Sequence, residues 1–231
     1  MTEQPTTLAL QTVQLTKHYG DRPALQPLDL AVAEGEHVAL VGHNGSGKTT
    51  LLRMAAGLLD PTGGTVEVMG HPSGSLEARR SLSWLSDTPT FYDDLSLWEH
   101  LEYVARLHGV GEWEAKAVEL VERLGLAARA DDVPTTFSRG LRQKAAITLG
   151  LIRPFDVLLV DEPFVGLDAA GKDALLALFD ECAAAGATLV VATHELSFVH
   201  RVGRLVALRD GEVAFDGPTG EADVHSLVLP A

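Results

Sequence analysis

Gly42-His43-Asn44-Gly45-Ser46-Gly47-Lys48-Thr49-Thr50 is the stretch on which the reading of this chain turns. It fits the spacing G-x-x-x-x-G-K-[ST], which arises by chance in roughly one chain per hundred of this length. Each position has a use if the ligand carries phosphate groups. Such a group needs many donors within hydrogen-bond reach, and backbone N–H groups pack most densely. Asn44, Gly45, Ser46 and Gly47 can supply them, and glycines, Gly42 included, let the chain curl without a Cβ clash. Lys48 adds a full positive charge. Thr49 offers a hydroxyl to a magnesium ion. Thr50 continues into a helix whose positive end faces the anion.

The flanks sharpen this reading. His37-Val38-Ala39-Leu40-Val41 is an apolar run of strand length. Thr50-Leu51-Leu52-Arg53-Met54-Ala55-Ala56 reads as a helix packed on a sheet. Strand, loop and helix in that order are the setting the loop requires.

Composition bounds the rest. The chain has 231 residues, 46% hydrophobic and 22% charged, as expected of one soluble domain, with or without a subdomain. Its apolar runs have strand length, well short of a membrane span. Met1-Thr2-Glu3-Gln4-Pro5 shows neither a basic region nor an apolar signal core, so the cytoplasm is the expected compartment. The single cysteine, Cys182, excludes an internal disulfide and a thiolate metal cage. A net charge of −14 disfavours wrapping nucleic acid, and no nucleic-acid partner is expected. Arg139, Arg142 and Lys144 form the densest basic cluster near a candidate site. The nine histidines show no convincing ligand spacing.

Outward from the loop, Leu8 to Tyr19 alternates in part through Leu8, Leu10, Val13 and Leu15. Ala24 to Ala33 is a second strand-like run. Together they suggest an antiparallel β layer beside the core. Thr65–Met69 and Leu82–Leu85 read as further strands. From Ser96 to Leu126 the pattern is helical, with Leu97, Leu101, Val104 and Leu107 on one face and Val118, Val121 and Leu124 on another. Gly140 to Ile152 is a third helix. Alternation of strand and helix then resumes with strand Val157–Val160, helix Gly171–Ala185 and strand Thr188–Ala192. A hairpin follows around Asp210-Gly211.

The second half of the site lies in Val157-Leu158-Leu159-Val160-Asp161-Glu162, an apolar strand ending in two acids. Acids at the carboxyl end of a central strand emerge beside the loop. Asp161 can hold magnesium, and Glu162 can position or deprotonate an attacking water. His194 ends the next buried strand, within possible reach of a terminal phosphate. Ser138, in Phe137-Ser138-Arg139-Gly140-Leu141-Arg142-Gln143-Lys144, is a plausible helix N-cap with a second anion site behind it.

These residues together resemble the nucleotide-binding subunit of an ATP-binding cassette (ABC) transporter, over nearly the whole chain from Tyr19 to about Asp216. Gly42–Thr50 matches the Walker A loop and Val157–Glu162 Walker B. Phe137–Lys144 is similar to the LSGGQ signature, Phe164-Val165-Gly166-Leu167-Asp168 to the D-loop, and His194 sits at the switch histidine. The resemblance implies an α/β fold: a P-loop NTPase core of the ABC ATPase kind, with an antiparallel β layer and an inserted helical subdomain. Residues 1–231 would form a single domain, with 1–87 and 154–231 as the nucleotide-binding core and 88–153 as the helical subdomain. It implies ATP and Mg2+ as cofactors and a head-to-tail dimer of ATP-binding subunits. Each ATP would lie between Lys48 of one protomer and Ser138 and Gly140 of the other, with Asp168 nearby and Tyr19 stacked on adenine.

Two motifs depart from the family's pattern. Arg139 replaces the signature's first glycine and Leu141 its glutamine, a form resembling the S-x-G-[ML]-[RK]-Q of many exporters. Asp87 falls where the family has its Q-loop glutamine. A carboxylate there can ligate magnesium, but it adds negative charge and reaches less far. Phe91, Tyr92 and Trp98 lie where a membrane subunit docks in the family. The implied function is an ATPase subunit, peripheral on the inner face of the cell membrane, that powers a transmembrane permease on a separate chain. The short stretch after Asp216 and the signature form favour export. A soluble ABC ATPase without a transport role, and a nucleotide-binding regulator with little turnover, are the alternatives.

Overall fold

The computed structural model describes residues 7–228. Two sheets organise it. The first is four-stranded, in the order β2-β1-β4-β5, from β1 (Leu8–Tyr19), β2 (Arg22–Ala33), β4 (Gly63–Val68) and β5 (His71–Pro72), all antiparallel. The second is six-stranded, in the order β10-β9-β3-β8-β7-β6. It contains β3 (His37–Val41), β6 (Leu82–Leu85), β7 (Val157–Asp161), β8 (Thr188–Ala192), β9 (Arg204–Arg209) and β10 (Glu212–Pro218). Its inner pairs are parallel, and β10 returns antiparallel along β9.

Every residue of β7 and β8 is buried, as an unbroken apolar run in a sheet covered on both faces demands. Alternation divides them between two cores. Ala39, Val41, Leu158, Val160, Leu189 and Val191 face one cluster. There they meet α3 (Leu97–Leu107), α4 (Trp113–Arg123), α5 (Arg139–Leu151) and α6 (Ala169–Ala184). Val38, Leu40, Leu159 and Val190 face the other, against α1 (Lys48–Ala55), α2 (Leu76–Ser81) and the antiparallel sheet. Two short helices, α7 (Leu196–Val199) and α8 (Val224–Val228), follow β8 and β10. The stretch expected to be helical, 88–153, holds α3, α4, α5 and two 3-10 turns. Its apolar residues share one continuous core with the sheet.

Register brings the site together. Leu85 lies level with Val160, Asp161 with Ala192, and Ala192 with Leu40. The segments after these four strands therefore leave the same carboxyl edge, the usual ligand edge of an open parallel sheet.

Several elements differ from the sequence expectation. α1 starts at Lys48 rather than Thr50, because Gly47, at φ 108°, already turns the chain into the helix. α2 was not expected: six residues, two of them arginines, are too few for a visible period, and Ser75 starts the helix by accepting from the Ala78 N–H. Val13 is 47% exposed although it fits the β1 alternation. A bulge at Gln14, φ 47°, shifts the register, so Leu10, Thr12 and Leu15 point inward. Leu107 and Val118 lie on the surface. Leu107 sits about 80° round the helix from Leu97, and α4 buries Trp113, Ala117, Leu120 and Val121 instead.

Candidate functional site

The loop after β3 is curled by backbone that only glycine tolerates. Gly42 has φ 146°, and a Cβ there would meet the Leu208 carbonyl oxygen at 2.2 Å. Lys48 bends back over the loop, donating from Nζ to the carbonyls of Gly42 at 2.7 Å and His43 at 3.3 Å. Burial lowers the Lys48 pKa, while the charges of Glu162 and Asp161 act the other way. A cavity of about 980 Å³ opens here, lined by Asn44, Gly45, Ser46, Gly47, Lys48, Thr49 and Thr50. Tyr19, Asp87, Asp161 and Glu162 complete the expected part of its wall.

Asp161 is fully buried, and among the described residues neither carboxylate oxygen has a hydrogen bond of normal geometry. Burial pushes its pKa up. The Thr49 hydroxyl is close enough to oppose this, the charges of Asp87 and Glu162 add to it, and Lys48 opposes it weakly. Two orphaned anionic oxygens beside a hydroxyl form a donor set suited to a hard divalent cation. Glu162 follows with φ 46°, a strained backbone for a side chain of its size. Its N–H donates to the Ala192 carbonyl at 2.8 Å, tying the turn to β8. His194 Nδ1 stands 3.0 Å from the Glu162 carboxylate.

Tyr19 lines the cavity and is 56% exposed, with Lys17 Nζ 5.4 Å from its ring centroid. Lys17 is itself anchored, donating to the Asp60 carbonyl at 2.7 Å. One ring face is thus backed by a fixed cation. Asp87 accepts from the hydroxyls of Ser86 and Thr88 at 3.2 and 3.1 Å and lies 3.7 Å from the Arg53 guanidinium. Phe91 and Trp98 are half-buried against the core, Trp98 packed against Trp113 at a tilt of 49°, while Tyr92 is exposed. His100 is buried and satisfied: Nδ1 donates to the Ser96 carbonyl and Nε2 accepts from the Tyr92 N–H.

Ser138, Gly140, Asp168 and His194 lie outside the cavity's walls. Ser138 caps α5, accepting from the Leu141 N–H at 3.4 Å. Asp168 caps α6 through the Gly171 N–H at 3.1 Å and pairs with Lys144 at 2.8 Å. One wall was missed in the sequence. The Gly211 N–H donates to the Ser46 carbonyl at 3.1 Å, its own carbonyl accepts from Gln26, and Asp210 sits 3.5 Å from His43. Asp210-Gly211 announces a turn, but no local signal says what a turn will touch.

A phosphate cradle facing a buried, unpartnered carboxylate across the edge of a parallel sheet defines an ATPase of the phosphate-loop class. The profile of one family in it, described as ABC transporter, matches residues 25–165. The ABC-type transporter ATP-binding protein EcsA of Bacillus subtilis is 31% identical over 220 residues, covering 92% of this chain and 88% of its own length. The octopine permease ATP-binding protein P of Rhizobium radiobacter is 33% identical over 241 residues, covering 96% and 92%. Among solved structures, the dimeric ATP-binding cassette MJ0796 bound to ADP and Pi superimposes with a TM-score of 0.83 at 26% identity, over 91% of this chain and 98% of that one. The chain belongs to the ABC transporter family and is an ATP-binding, ATP-hydrolysing subunit of that family.

Proposed function

We propose that this subunit pairs head to tail with a second ATP-binding subunit and drives export through a permease carried on another chain. The carrying observation is the division of the site. Lys48, Asp161 and Glu162 line one cavity, while Ser138, which is exposed, and Gly140 stand at the start of α5 and are no part of its wall. A site divided in this way is complete only when a partner supplies the second half. The MJ0796 cassette, dimeric with ADP and Pi, supports that pairing.

In the paired state Lys48 exchanges the carbonyls of Gly42 and His43 for the outer phosphates of ATP, and the N–H groups of 44–47 close around them. Tyr19 stacks on the adenine with Lys17 behind it. Thr49 and Asp161, with Asp87 close by, would hold magnesium, which would supply neutralisation of the phosphate charge. Glu162 orients the attacking water and accepts its proton. His194 fixes the Glu162 carboxylate and faces the terminal phosphate. Ser138 and Gly140 of the partner aim the α5 N-terminus at the same phosphate.

The signature form Ser138-Arg139-Gly140-Leu141-Arg142-Gln143 supports export. Among the described residues no helix is long and apolar enough to cross a membrane. In this reading the permease is carried on a separate chain and this subunit sits at the cytoplasmic face. The test is copurification of the tagged protein from its host's membranes in mild detergent. A stoichiometric multi-span protein is expected. A soluble complex with ribosomes or DNA-repair proteins would overturn the transport reading and leave the ATPase standing.

A further inference from the structure

The α5 N-terminus and the loop 164–168 meet with almost no space between them. A Cβ on Gly140 would come within 2.4 Å of the Gly166 carbonyl oxygen. Gly166, at φ 83°, turns the loop towards α5, and a Cβ there would meet the Arg139 Cγ at 3.5 Å. One turn further along α5, Lys144 Nζ lies 2.8 Å from Asp168 Oδ1. Lys144 is largely buried, its side chain 13% exposed, whereas Asp168 is 65% exposed. Lys144 is also pressed against α6: a Cβ on Gly171 would meet its Cε at 2.8 Å. The same Asp168 oxygen accepts the Gly171 N–H at 3.1 Å. One carboxylate thus closes the start of α6 and binds a cation rooted in α5.

We propose that Lys144 is a positioning residue that fastens the 164–168 loop to the front of α5, so that Ser138, Gly140, Gly166 and Asp168 meet a partner subunit as one preformed surface. The inference rests on the head-to-tail pairing above. A loop of five residues with two ends and no anchor would have to be ordered at each association, and that ordering opposes binding. The Lys144–Asp168 pair and the glycine contact remove the need before the partner arrives. They also account for Arg139. Its aliphatic stem covers Gly166, a contact that a glycine at this signature position could not make.

The experiment uses the full chain with Glu162→Gln, to hold ATP without turnover. ATP-driven dimer formation is followed by light scattering, and backbone amide exchange over 163–170 is followed without nucleotide. Lys144→Met is expected to speed exchange in that segment of the monomer. It is also expected to raise the ATP concentration for half-maximal dimerisation about tenfold, the equivalent of ~1.4 kcal/mol. Lys144→Arg, which keeps the charge and reach, restores both. Combining Lys144→Met with Asp168→Asn should cost no more than Asp168→Asn alone, since the lysine acts through that carboxylate. If the parent dimerises with ATP and Lys144→Met does so at the same concentration, the inference fails and the pairing stands. If the parent itself stays monomeric with ATP, the pairing falls and the inference falls with it.

Discussion

His194 Nδ1 lies 3.0 Å from the Glu162 carboxylate, joining two loops that leave adjacent parallel strands. The strained turn at Glu162, φ 46°, holds its side chain near that partner. Glu162→Gln keeps the shape and removes the basic oxygen. Turnover is expected to fall by about 10²- to 10⁴-fold, the usual weight of a general base, while ATP binding persists. Phosphate release in a single turnover measures it. A variant turning over at the parental rate would remove Glu162 from the base's role. His194→Ala should slow the same step and leave ATP affinity intact.

Asp161 gives a prediction with a definite sign. Its folded-state pKa is raised, chiefly by burial. For a raised pKa, the group's contribution to stability is fully present at low pH and lost as pH rises through the folded value. Above that folded value the metal-free protein therefore carries a desolvated carboxylate at a cost. Asp161→Asn should raise the melting temperature in EDTA by a few degrees, at about 2–4 °C per kcal/mol for a chain of this size. The gain should shrink as pH falls through the raised folded value. With magnesium and ATP the order should reverse, because only the parent gains from binding the loaded metal. Thermal unfolding in both buffers across pH checks the three parts together.

Arg204 joins both sheets. It pairs bidentately with Asp216 at 2.7 and 2.8 Å, reaches both Glu36 oxygens and donates to the Ala31 carbonyl at 2.9 Å. Asp216 first, then Glu36, hold its pKa above the ordinary value. Arg204→Met keeps the stem and leaves two carboxylates facing each other. A loss of about 2–3 kcal/mol is expected, in the range of charged hydrogen bonds. Urea unfolding of the nucleotide-free protein measures it, and a change below about 0.5 kcal/mol would mean that solvent replaces the network without cost.

The parts of this molecule written in short segments were legible beforehand. Gly42–Thr50 announces its loop because phosphate binding constrains nine adjacent positions, and Val157–Glu162 announces its strand because burial on both faces leaves an unbroken apolar run. The Ser138 cap was legible for the same reason, since capping acts over three residues. What depends on distant chain was not. Nothing near Gln14 predicts the bulge that Asp29 supports by binding its side chain and backbone. Nothing near Asp210 says that the turn grips the phosphate loop. Leu107 fits an apolar stripe, yet no element among the described residues covers it, and periodicity cannot report a missing neighbour.

Asp87 shows how one departure from a family's pattern can be tested. Its carboxylate lies on the cavity wall near Asp161, raises that residue's pKa and is partly balanced by Arg53 at 3.7 Å. The balance is weak, because both side chains are substantially exposed. Asp87 therefore adds negative charge to a site that must accept a polyanion, and the charge is useful only with a cation present. Asp87→Gln should bind ATP more tightly in EDTA and need more magnesium for half-maximal ATPase activity. Asp87→Ala should show the second effect more strongly, by about tenfold for a ligand lost from the outer set of a metal site. Magnesium titrations of ATPase activity, paired with ATP binding in EDTA, separate the charge from the ligand. Should Asp87→Ala leave both the magnesium requirement and the rate unchanged, Asp87 has no part in holding the metal. The Ser86 and Thr88 hydroxyls would then be its whole purpose, fixing the turn out of β6.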